Sequence, residues 1–562
     1  MKRTTFTIAG LGLVLLGALA GQWFHGSTSE TDREAFRTLQ SAYEVIRDSY
    51  VEPVPPGSLA ASSLRGMTET LDPFSVYISG GRMKQIEESF SGSFEGIGIS
   101  YELIEGPNQT DTIAVTTVLP GGPSAEAGLR AGDRIVRVAG EPAIGWSHQK
   151  IRRRLKGPQG SSVSVTLRRP GRSASLERTI TRDTVPLETV DAAYMMGDRT
   201  GYIRLNRFAR TTHREVTSAL GALKDEGMTR LIFDLRGNAG GLMSMAEKVA
   251  DEFLVEGQLI VRARSRHEQY VGARYASDDG RFQEAPVIVL VDEHSASASE
   301  IVAGALQDHD RAVIVGRRTF GKGLVQRQYD LSDGSGLRLT VARFYTPSGR
   351  LLQRDEKSRD SLTTPVDTAG VPDSLRHRTD AGRVVLGEGG IVPDRIVADS
   401  IENSYRRAVT RQGLVRDFAR RWADAHTDTL RRRWKQRPDA FATDFALPST
   451  AYPAFVRYAA EHGVRAGPEP APVAAAGPSA QAARPASRRE GEAVESEAVE
   501  SEAVKAARSA IETDIKAYVG QRLFGTSMLI RVRNRIDPVV RSARQSWDLA
   551  QKWAARYPIP GE

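Results

Sequence analysis

The sequence predicts a multidomain α/β (α+β) protein with a helical N-terminal cap, a β-rich module, an α/β core and a helical C-terminal extension. The chain has 562 residues, and a single hydrophobic core seldom grows beyond roughly 250 residues. Between residues 183 and 400, short apolar runs alternate with helical stretches, which is typical of an α/β sheet. After residue 400 the pattern becomes strongly helical and basic.

Composition excludes several classes of function. The chain carries 77 Lys and Arg against 69 Asp and Glu, a net charge of +8 that is mixed in sign, so its charge does not demand a nucleic-acid partner. It has neither an aromatic-basic RNA-binding signature nor zinc-finger spacing, and we predict no nucleic-acid binding. Because there is no cysteine, disulfides, thiolate metal sites and a cysteine nucleophile are excluded.

The N-terminus predicts export. Met1-Lys2-Arg3 precedes the apolar run TTFTIAGLGLVLLGALAGQWF, whose length lies between a signal-peptide core and a short transmembrane helix. Ala18-Leu19-Ala20 would suit cleavage, whereas Trp23 and Phe24 would suit an interfacial anchor. Residues 1–25 are therefore either a signal peptide or a membrane anchor, and the rest of the chain is expected in the periplasm or another extracytoplasmic space.

The remaining segments follow from periodicity and turn residues. Residues 31–89 have apolar positions at helical spacing before and after the Pro53–Pro56 stop. Alternating strands with Gly-rich turns predict the β-rich module, and continuous apolar strands between helices predict a sheet buried on both faces. The predicted segments are 31–89 (helical), 90–172 (β-rich), 183–400 (α/β), 401–462 (helical), 463–490 (Pro/Ala-rich linker) and 491–562 (helical).

The stretch SASASE, residues 295–300, is the strongest candidate for chemistry. It follows the apolar strand VIVLVD and precedes the apolar helix EIVAGALQD, so its serines lie at the ligand side of an α/β sheet and at a helix N-terminus. Free N–H groups there stabilise developing negative charge. One serine could act as a nucleophile, but an N-cap serine with Glu300 as a first-turn acid would explain the same letters.

A serine nucleophile needs a base. His294 and His309 flank the helix, but the G-x-S-x-G elbow is absent. The alternative base is Lys322 in TFGKGLVQ, because burial disfavours the charged form of a lysine and lowers its pKa. Flanking glycines would let backbone pack around it, and Gln326 lies four residues on, where its amide could orient the amine.

SASASEIVAGALQDHDRAVIVGRRTFGKGLVQ resembles the carboxyl-terminal processing peptidases, the tail-specific serine proteases. The resemblance implies Ser297 as the nucleophile, Lys322, 25 residues later, as the base, and Gln326 as the residue that positions it. FDLRGNAGGLM looks like the family's oxyanion segment, which implies amide donors at Gly240 or Gly241 together with Ala298. Elements like LDPFS at 71–75 and GIVPD at 390–394 extend the match over roughly residues 35–400.

The β-rich module resembles a PDZ domain, from SGSFEGIGISYELI through PSAEAGLRAGDRIVRV. Backbone N–H groups of Gly96, Ile97, Gly98 and Ile99 would receive a terminal carboxylate while a strand edge pairs with the peptide. With Leu129 nearby, the site predicts protein substrates with apolar C-termini. The expected enzyme is a PDZ-containing serine endopeptidase that needs no metal or cofactor.

Two other functions fit parts of the sequence. The PDZ module and tail could recruit partners while the α/β domain is a catalytically silent scaffold, or a Ser-His pair using His294 or His309 could hydrolyse small esters. The tail beyond residue 400 lies outside the resemblance. Its helices are expected either to dock an adaptor, another copy of the chain or the enzyme itself, or to be simply solvated.

Overall fold

The computed structural model describes residues 29–105, 111–277, 280–354, 371–398, 403–465 and 502–555. The N-terminal segment 1–25 and most of the predicted linker, with the start of the segment after it, lie outside the described residues. The chain forms two compact units, residues 1–83 with 326–340 and residues 84–325 with 341–562. None of the helices described is long and apolar enough to cross a membrane.

The first unit contains the two N-terminal helices, the strand after them and residues 326–340. Helix α1 spans Glu30–Ser49, α2 spans Pro56–Glu69 and β1 spans Val76–Ile78. Helix α1 begins with a capping box between Ser29 and Asp32, which satisfies two helix-end donors reciprocally. Strand β1 pairs antiparallel with residues 336–338. The expected helical character of this region is confirmed.

Helix α3 begins at Gly80 and continues into the second unit, where the β-rich module follows it. The module folds as an antiparallel sheet in the order β3-β4-β5-β7-β8, with β6 on β5, around a buried apolar core that includes Ile113, Ile135 and Val165. Its elements are α3 (Gly80–Ser91), β2 (Ser93–Gly96), β3 (Ile99–Glu105), β4 (Asp111–Val118), α4 (Pro123–Glu126), β5 (Arg134–Val138), β6 (Glu141–Pro142), α5 (His148–Leu155), β7 (Ser162–Arg168), β8 (Leu176–Thr181) and β9 (Asp183–Pro186).

The α/β core is a six-stranded sheet in the order β10-β11-β12-β15-β16-β21. Neighbours from β11 onward run parallel, and β10 is antiparallel to β11. The elements from residue 190 to residue 396 are β10 (Val190–Met195), β11 (Thr200–Leu205), α6 (Thr212–Asp225), β12 (Arg230–Asp234), α7 (Met243–Asp251), β13 (Leu259–Arg264), β14 (Gly272–Tyr275), β15 (Val287–Val291), α8 (Ala298–Asp308), β16 (Ala312–Gly316), β17 (Leu324–Asp330), β18 (Gly336–Tyr345), β19 (Arg376–Arg378), β20 (Val384–Leu386) and β21 (Arg395–Ile396). Strands β13, β14, β17 and β18 belong to a separate sheet, and β19 pairs only with β20 among the described strands. The predicted fold class is confirmed, whereas the domain boundaries drawn from the sequence stay predictions.

The C-terminal region is helical throughout its described parts. Its elements are α9 (Ser404–Arg411), α10 (Leu414–Ala425), α11 (Thr427–Trp434), α12 (Pro438–Asp444), α13 (Ala451–Glu461), α14 (Glu502–Phe524), α15 (Thr526–Arg533), α16 (Pro538–Arg544) and α17 (Trp547–Ala554). Helices α9 to α15 share an aromatic-rich core that includes Phe418, Phe441 and Phe455. Asp424 on α10 pairs with Arg134 of the β-rich module and with Arg522 of α14, so this bundle also holds that module.

The two faces of the central sheet are covered by different parts of the chain. Strand side chains alternate between faces, and accordingly Val287 and Val289 pack with α6 to α8. Ile288 and Leu290 point to the other face, where they pack with apolar residues of α15 to α17. The sequence predicted burial on both faces, but the tail was expected to dock a partner or to be solvated. The expectation that its helices are simply solvated is wrong, because three of them form the second layer over the sheet.

We predict that Trp547→Ala strongly destabilises the core. Trp547 is 5% exposed, packs on the sheet and lies under Arg230, whose guanidinium carbon is 4.7 Å from the ring centroid. Truncating a buried Trp costs about 3–5 kcal/mol of unfolding free energy. Urea unfolding should show this loss, while Val271→Ala, at a 54% exposed position, should change stability by less than about 0.5 kcal/mol. Equal stability of Trp547→Ala and wild type would contradict the two-layer packing.

Candidate active site

Ser297 lies where β15 has ended and α8 begins. It is the N-cap of α8, with φ 55° and ψ −110°. A positive φ is unusual for a residue with a Cβ and costs about 1–3 kcal/mol, so it persists only where its surroundings enforce it. Ser297 therefore lies in a strained strand-to-helix turn, outside both regular elements. A sharp turn of this type can expose a nucleophilic hydroxyl.

The serines on either side of Ser297 have structural roles. Ser295 Oγ donates to the Leu235 carbonyl at 2.8 Å and Ser299 Oγ donates to the Asn238 carbonyl at 2.8 Å. Both side chains are fully buried. The alternation of SASAS therefore ties the strand-to-helix turn to residues 235–238 through its outer serines, whereas the central serine, Ser297, forms a capping box with Glu300.

The Gly-rich segment packs directly against this turn. A Cβ on Gly240 would lie 2.7 Å from the Ala296 carbonyl oxygen and 3.0 Å from Ser297 Cβ, and a Cβ on Gly241 would lie 2.1 Å from the Phe208 carbonyl oxygen. Since real Cβ atoms do not approach backbone so closely, the backbone needs glycine at both positions. Both also have positive φ, 98° and 148°, which glycine tolerates.

The three amides expected to hold an oxyanion differ in their availability. The Gly240 N–H donates to Asn238 Oδ1 at 2.9 Å. Within the described part of the chain, the N–H groups of Gly241 and Ala298 donate to no partner. Ala298 is the first residue of α8, where the helix dipole also favours negative charge. Gly241 and Ala298 are thus the better candidates, and Gly240 shapes the approach to Ser297.

A buried carboxylate connects the Ser297 turn with the Lys322 turn. Glu300 is fully buried, and its Oε2 accepts hydrogen bonds from the amides of Ser297 at 2.8 Å and Lys322 at 2.9 Å. Its Oε1 accepts from Thr319 Oγ1 at 2.6 Å and from the Gly321 amide at 2.7 Å. The amides of both predicted catalytic residues therefore contact one carboxylate oxygen.

Burial raises the pKa of Glu300, and its four hydrogen bonds act in the opposite direction. A buried carboxylate is costly without hydrogen-bond donors, and these four donors stabilise it. The sequence predicts for Glu300 only the role of a first-turn acid in a helix that a serine caps. The S-x-x-E spacing of a capping box was the signal that could have drawn attention to it, whereas no local pattern predicts its contacts with residues 319–322.

The Lys322 turn is closely packed. A Cβ on Gly321 would lie 2.9 Å from Arg354 Cβ and 3.0 Å from the Gly389 carbonyl carbon, and a Cβ on Gly323 would lie 2.7 Å from the Gln353 amide. The glycines thus permit close approach of backbone around Lys322, as the sequence suggested. Gln326 belongs to the first unit, where its Nε2 donates to the Phe74 carbonyl, and its role in orienting Lys322 stays a prediction.

The two histidines have other surroundings. His309 ends α8, and its ring nitrogens contact Asp380 Oδ2 at 2.7 Å and the Leu259 carbonyl at 2.8 Å. An 11-residue helix separates it from Ser297, about 16 Å at 1.5 Å per residue. The side chain of His294 is 72% exposed and lies 3.8 Å from Glu293. Neither histidine has the contacts expected of a base for Ser297.

The predicted peptide-binding loop joins β2 to β3. Ile97 is buried in the module's core next to Leu129, and Gly98 has φ 72°. Among the described residues, the amides of Ile97 and Gly98 have no hydrogen-bond acceptor. Gly96 pairs with Asp183 across β2 and β9, and Ile99 begins β3, which pairs with β4 and is an edge strand of the module's sheet.

The six described ranges contain no group of three or more His, Asp or Glu side chains placed to hold a metal ion.

Three family models match parts of the chain. They are Peptidase family S41 over residues 199–361, PDZ domain over residues 114–169 and Activating protease CtpB N-terminal domain over residues 22–80. From the N-terminus onward, these three matches fall on the N-terminal helices, the β-rich module and the α/β core.

Curated relatives cover the same region. The chain is 34% identical over 334 residues to the carboxy-terminal processing protease CtpB of Bacillus subtilis, covering 58% of this chain and 68% of that protein. It is 33% identical over 360 residues to the carboxy-terminal-processing protease of Bartonella bacilliformis, covering 63% of this chain and 80% of that protein.

Among solved structures, the chain is similar to the photosystem II D1 C-terminal processing protease, with 30% identity, a TM-score of 0.35, and coverage of 66% of this chain and 89% of that one. It is also similar to the PDZ domain of a carboxy-terminal protease from Vibrio cholerae solved in complex with peptide, with 32% identity, a TM-score of 0.15, and coverage of 17% and 99%.

We predict that Glu300→Gln uncouples the two turns. Whichever way the new amide is turned, its NH2 group replaces an acceptor of backbone N–H groups, and each orphaned buried donor costs about 1–3 kcal/mol. Urea unfolding should therefore show lower stability, and acylation of Ser297 per folded molecule should slow by roughly tenfold or more, as expected for misplaced reacting groups.

The matched control is Glu252→Gln. Glu252 is also buried, but it contacts His213 and the Arg281 amide. This variant should lose stability without slowing acylation of the folded fraction. Acylation at the wild-type rate in folded Glu300→Gln would contradict the linking role of this carboxylate.

Proposed function

We propose that Ser297 acts as nucleophile and Lys322 as general base in this chain, which belongs to the carboxy-terminal processing proteases of peptidase family S41. The predicted family resemblance is confirmed by relatives more than 30% identical over two thirds or more of their length. The chain is therefore a C-terminal processing serine peptidase with a PDZ domain. Its catalytic residues, substrates and location are the subject of the proposal.

The observation that carries the proposal is the shared contact with Glu300. Because one buried carboxylate oxygen accepts from the amides of both Ser297 and Lys322, the two turns stay together although 25 residues separate them in sequence. The strained φ of Ser297 and the glycines flanking Lys322 supply further support. A scaffold without chemistry has no evident need for this combination.

The reaction follows from these positions. Neutral Lys322 takes the proton of Ser297 Oγ as the oxygen attacks the substrate carbonyl carbon. The amides of Gly241 and Ala298 donate to the resulting oxyanion. When the tetrahedral intermediate collapses, the proton passes from Lys322 to the leaving amine and an acyl-enzyme remains. Water, deprotonated by Lys322, then attacks the ester and restores Ser297.

The PDZ domain supports a preference for protein C-termini. The amides of Ile97 and Gly98, which donate to no acceptor among the described residues, can receive a terminal carboxylate, with Gly96 and Ile99 flanking them. The edge of β3 can pair with an extended peptide. Buried Ile97 and Leu129 favour an apolar last residue. The substrates we propose are proteins with apolar C-termini, captured by this domain and cleaved at Ser297.

The proposal of export rests on residues 1–25, whose basic start and apolar run suit either a signal peptide or an anchor to the inner membrane. Binding of an adaptor or self-association through the tail also stays a proposal. Deleting residues 463–562 would not test it cleanly, because the deletion removes α15 to α17 from the sheet.

The test is degradation of an unfolded reporter with an apolar C-terminus by wild type, Ser297→Ala, Lys322→Ala and His294→Ala. Loss of either proposed catalytic group should lower the rate on the order of a thousandfold or more. Circular dichroism should show that the variants are folded. His294→Ala should keep the wild-type rate. A folded, inactive wild type would favour the scaffold alternative, and an active Lys322→Ala would assign the base elsewhere.

The pH dependence gives a second readout of the same experiment. Because the base must be neutral, the rate should rise with pH until Lys322 is deprotonated. Lys322→Arg should be inactive at every pH, since a guanidinium does not lose its proton in this range. A flat profile from neutral to alkaline pH in the wild type would contradict Lys322 as the base.

A further inference from the structure

The C-terminal helices contact the catalytic domain through charge as well as through apolar packing. Asp537 is the N-cap of α16, and its Oδ1 accepts from the amides of Val539 at 2.8 Å and Val540 at 3.1 Å. Its other oxygen, Oδ2, accepts from Arg236 Nη1 at 2.8 Å. The helix cap therefore fixes a carboxylate in one orientation, and that carboxylate holds an arginine of the α/β core.

Arg236 is the third residue of DLRGNAGG, the segment that continues to Gly241. Its side chain is only 14% exposed. Nε and Nη2 contact the carboxylate of Asp234, at 3.0 Å and 2.7 Å, and Nη1 contacts Asp537. The guanidinium thus lies between one carboxylate of the sheet and one of the tail, in the bidentate geometry that fixes an arginine most firmly.

Asp234 is itself firmly held. It is fully buried at the end of β12 and accepts the Tyr202 hydroxyl at 2.6 Å. Burial acts to raise its pKa, but the charge and hydrogen bonds of Arg236 hold that pKa below its ordinary value. The carboxylate is therefore ionised and holds Nε and Nη2 of Arg236, while Nη1 is held by Asp537.

The segment that follows Arg236 has contacts on two sides. On the nucleophile side, Ser295 and Ser299 donate to the carbonyls of Leu235 and Asn238, and the Gly237 amide donates to Asp292 Oδ1 at 2.9 Å. On the opposite side, the contact of the Arg236 side chain with the tail is made by Asp537. Loss of that contact would leave a largely buried guanidinium N–H group without its acceptor, which disfavours the present position of the guanidinium and of the segment that carries it.

We propose that Asp537 is a positioning residue for peptide hydrolysis, because it fixes Arg236 and through it the segment that carries the Gly241 amide. The inference rests on the proposed function, since it assumes that Gly241 contributes to the oxyanion hole. It assigns to the C-terminal extension, which lies outside the residues matched to the peptidase family model, a direct part in shaping the active site.

The experiment compares Asp537→Ser with wild type. A serine keeps the N-cap of α16 but is too short to reach Arg236 as well. We expect kcat for the reporter to fall by about ten- to hundredfold, as for other groups that orient catalytic ones, with KM unchanged. Rates are normalised to folded enzyme by titration with an acylating reagent.

The affinity for a peptide boronate distinguishes a positioning role from a purely structural one, because loss of stability alone would not change it in folded enzyme. Its adduct with Ser297 places an oxygen in the oxyanion hole, so its affinity should fall by the same factor as kcat. Binding of a C-terminal peptide to the PDZ domain should not change. The matched control is Asp198→Asn, which removes an exposed ion pair between the tail and the core, Arg544 with Asp198 at 2.8 Å, and should leave kcat and boronate affinity at wild-type values.

The outcomes separate this inference from the proposed function. Wild-type kcat and boronate affinity in Asp537→Ser would overturn the inference alone. A wild-type enzyme that neither cleaves the reporter nor binds the boronate would overturn the proposed function and the inference with it. If Asp537→Ser does not fold, kcat and boronate affinity of Asp537→Asn relative to wild type decide the question. The single side-chain oxygen of asparagine cannot accept from the helix amides and from Arg236 together.

Discussion

The buried carboxylate of Glu300 is the contact on which the candidate active site depends. An unpaired carboxylate in a protein interior is costly, and here four donors from two separate turns stabilise it. Each donor is also satisfied by the carboxylate, so the interaction is reciprocal. The strained backbone of Ser297 and the tight turn around Lys322 both donate hydrogen bonds to this one side chain.

A second constraint acts from outside the sheet. Parallel strands buried on both faces need two covering layers, and the helices between the strands supply one of them. The C-terminal helices supply the other with Val539, Val540, Trp547 and neighbouring apolar residues. Since the same helices place Asp537 against Arg236, the packing that completes the core also brings a charge to the Gly-rich segment. The C-terminal helices therefore contribute both to the stability of the core and to the position of the Gly-rich segment.

Much of this could be predicted from the sequence. Continuous apolar strands such as VIVLV predicted the sheet, and SASASE followed by an apolar helix predicted a strand-to-helix turn that carries a candidate serine. The choice of Ser297 among the three serines came from the family resemblance. The position of the tail could not be predicted, because its apolar residues have helical spacing whether they face solvent, a partner or the sheet. Local patterns also did not separate Gly240 from Gly241, since the difference depends on Asn238, whose side chain takes up one of the two amides.

The central claim is that Ser297 is the nucleophile and that Ser295 and Ser299 have structural roles, and covalent labelling tests it most directly. Wild-type enzyme is treated with a fluorophosphonate, digested, and mapped by tandem mass spectrometry. The account predicts a single modified serine, Ser297, and no modification of Ser295 or Ser299, whose hydroxyls are buried and donate to backbone carbonyls. Modification of either neighbour, or of no serine in enzyme that degrades the reporter, would contradict it.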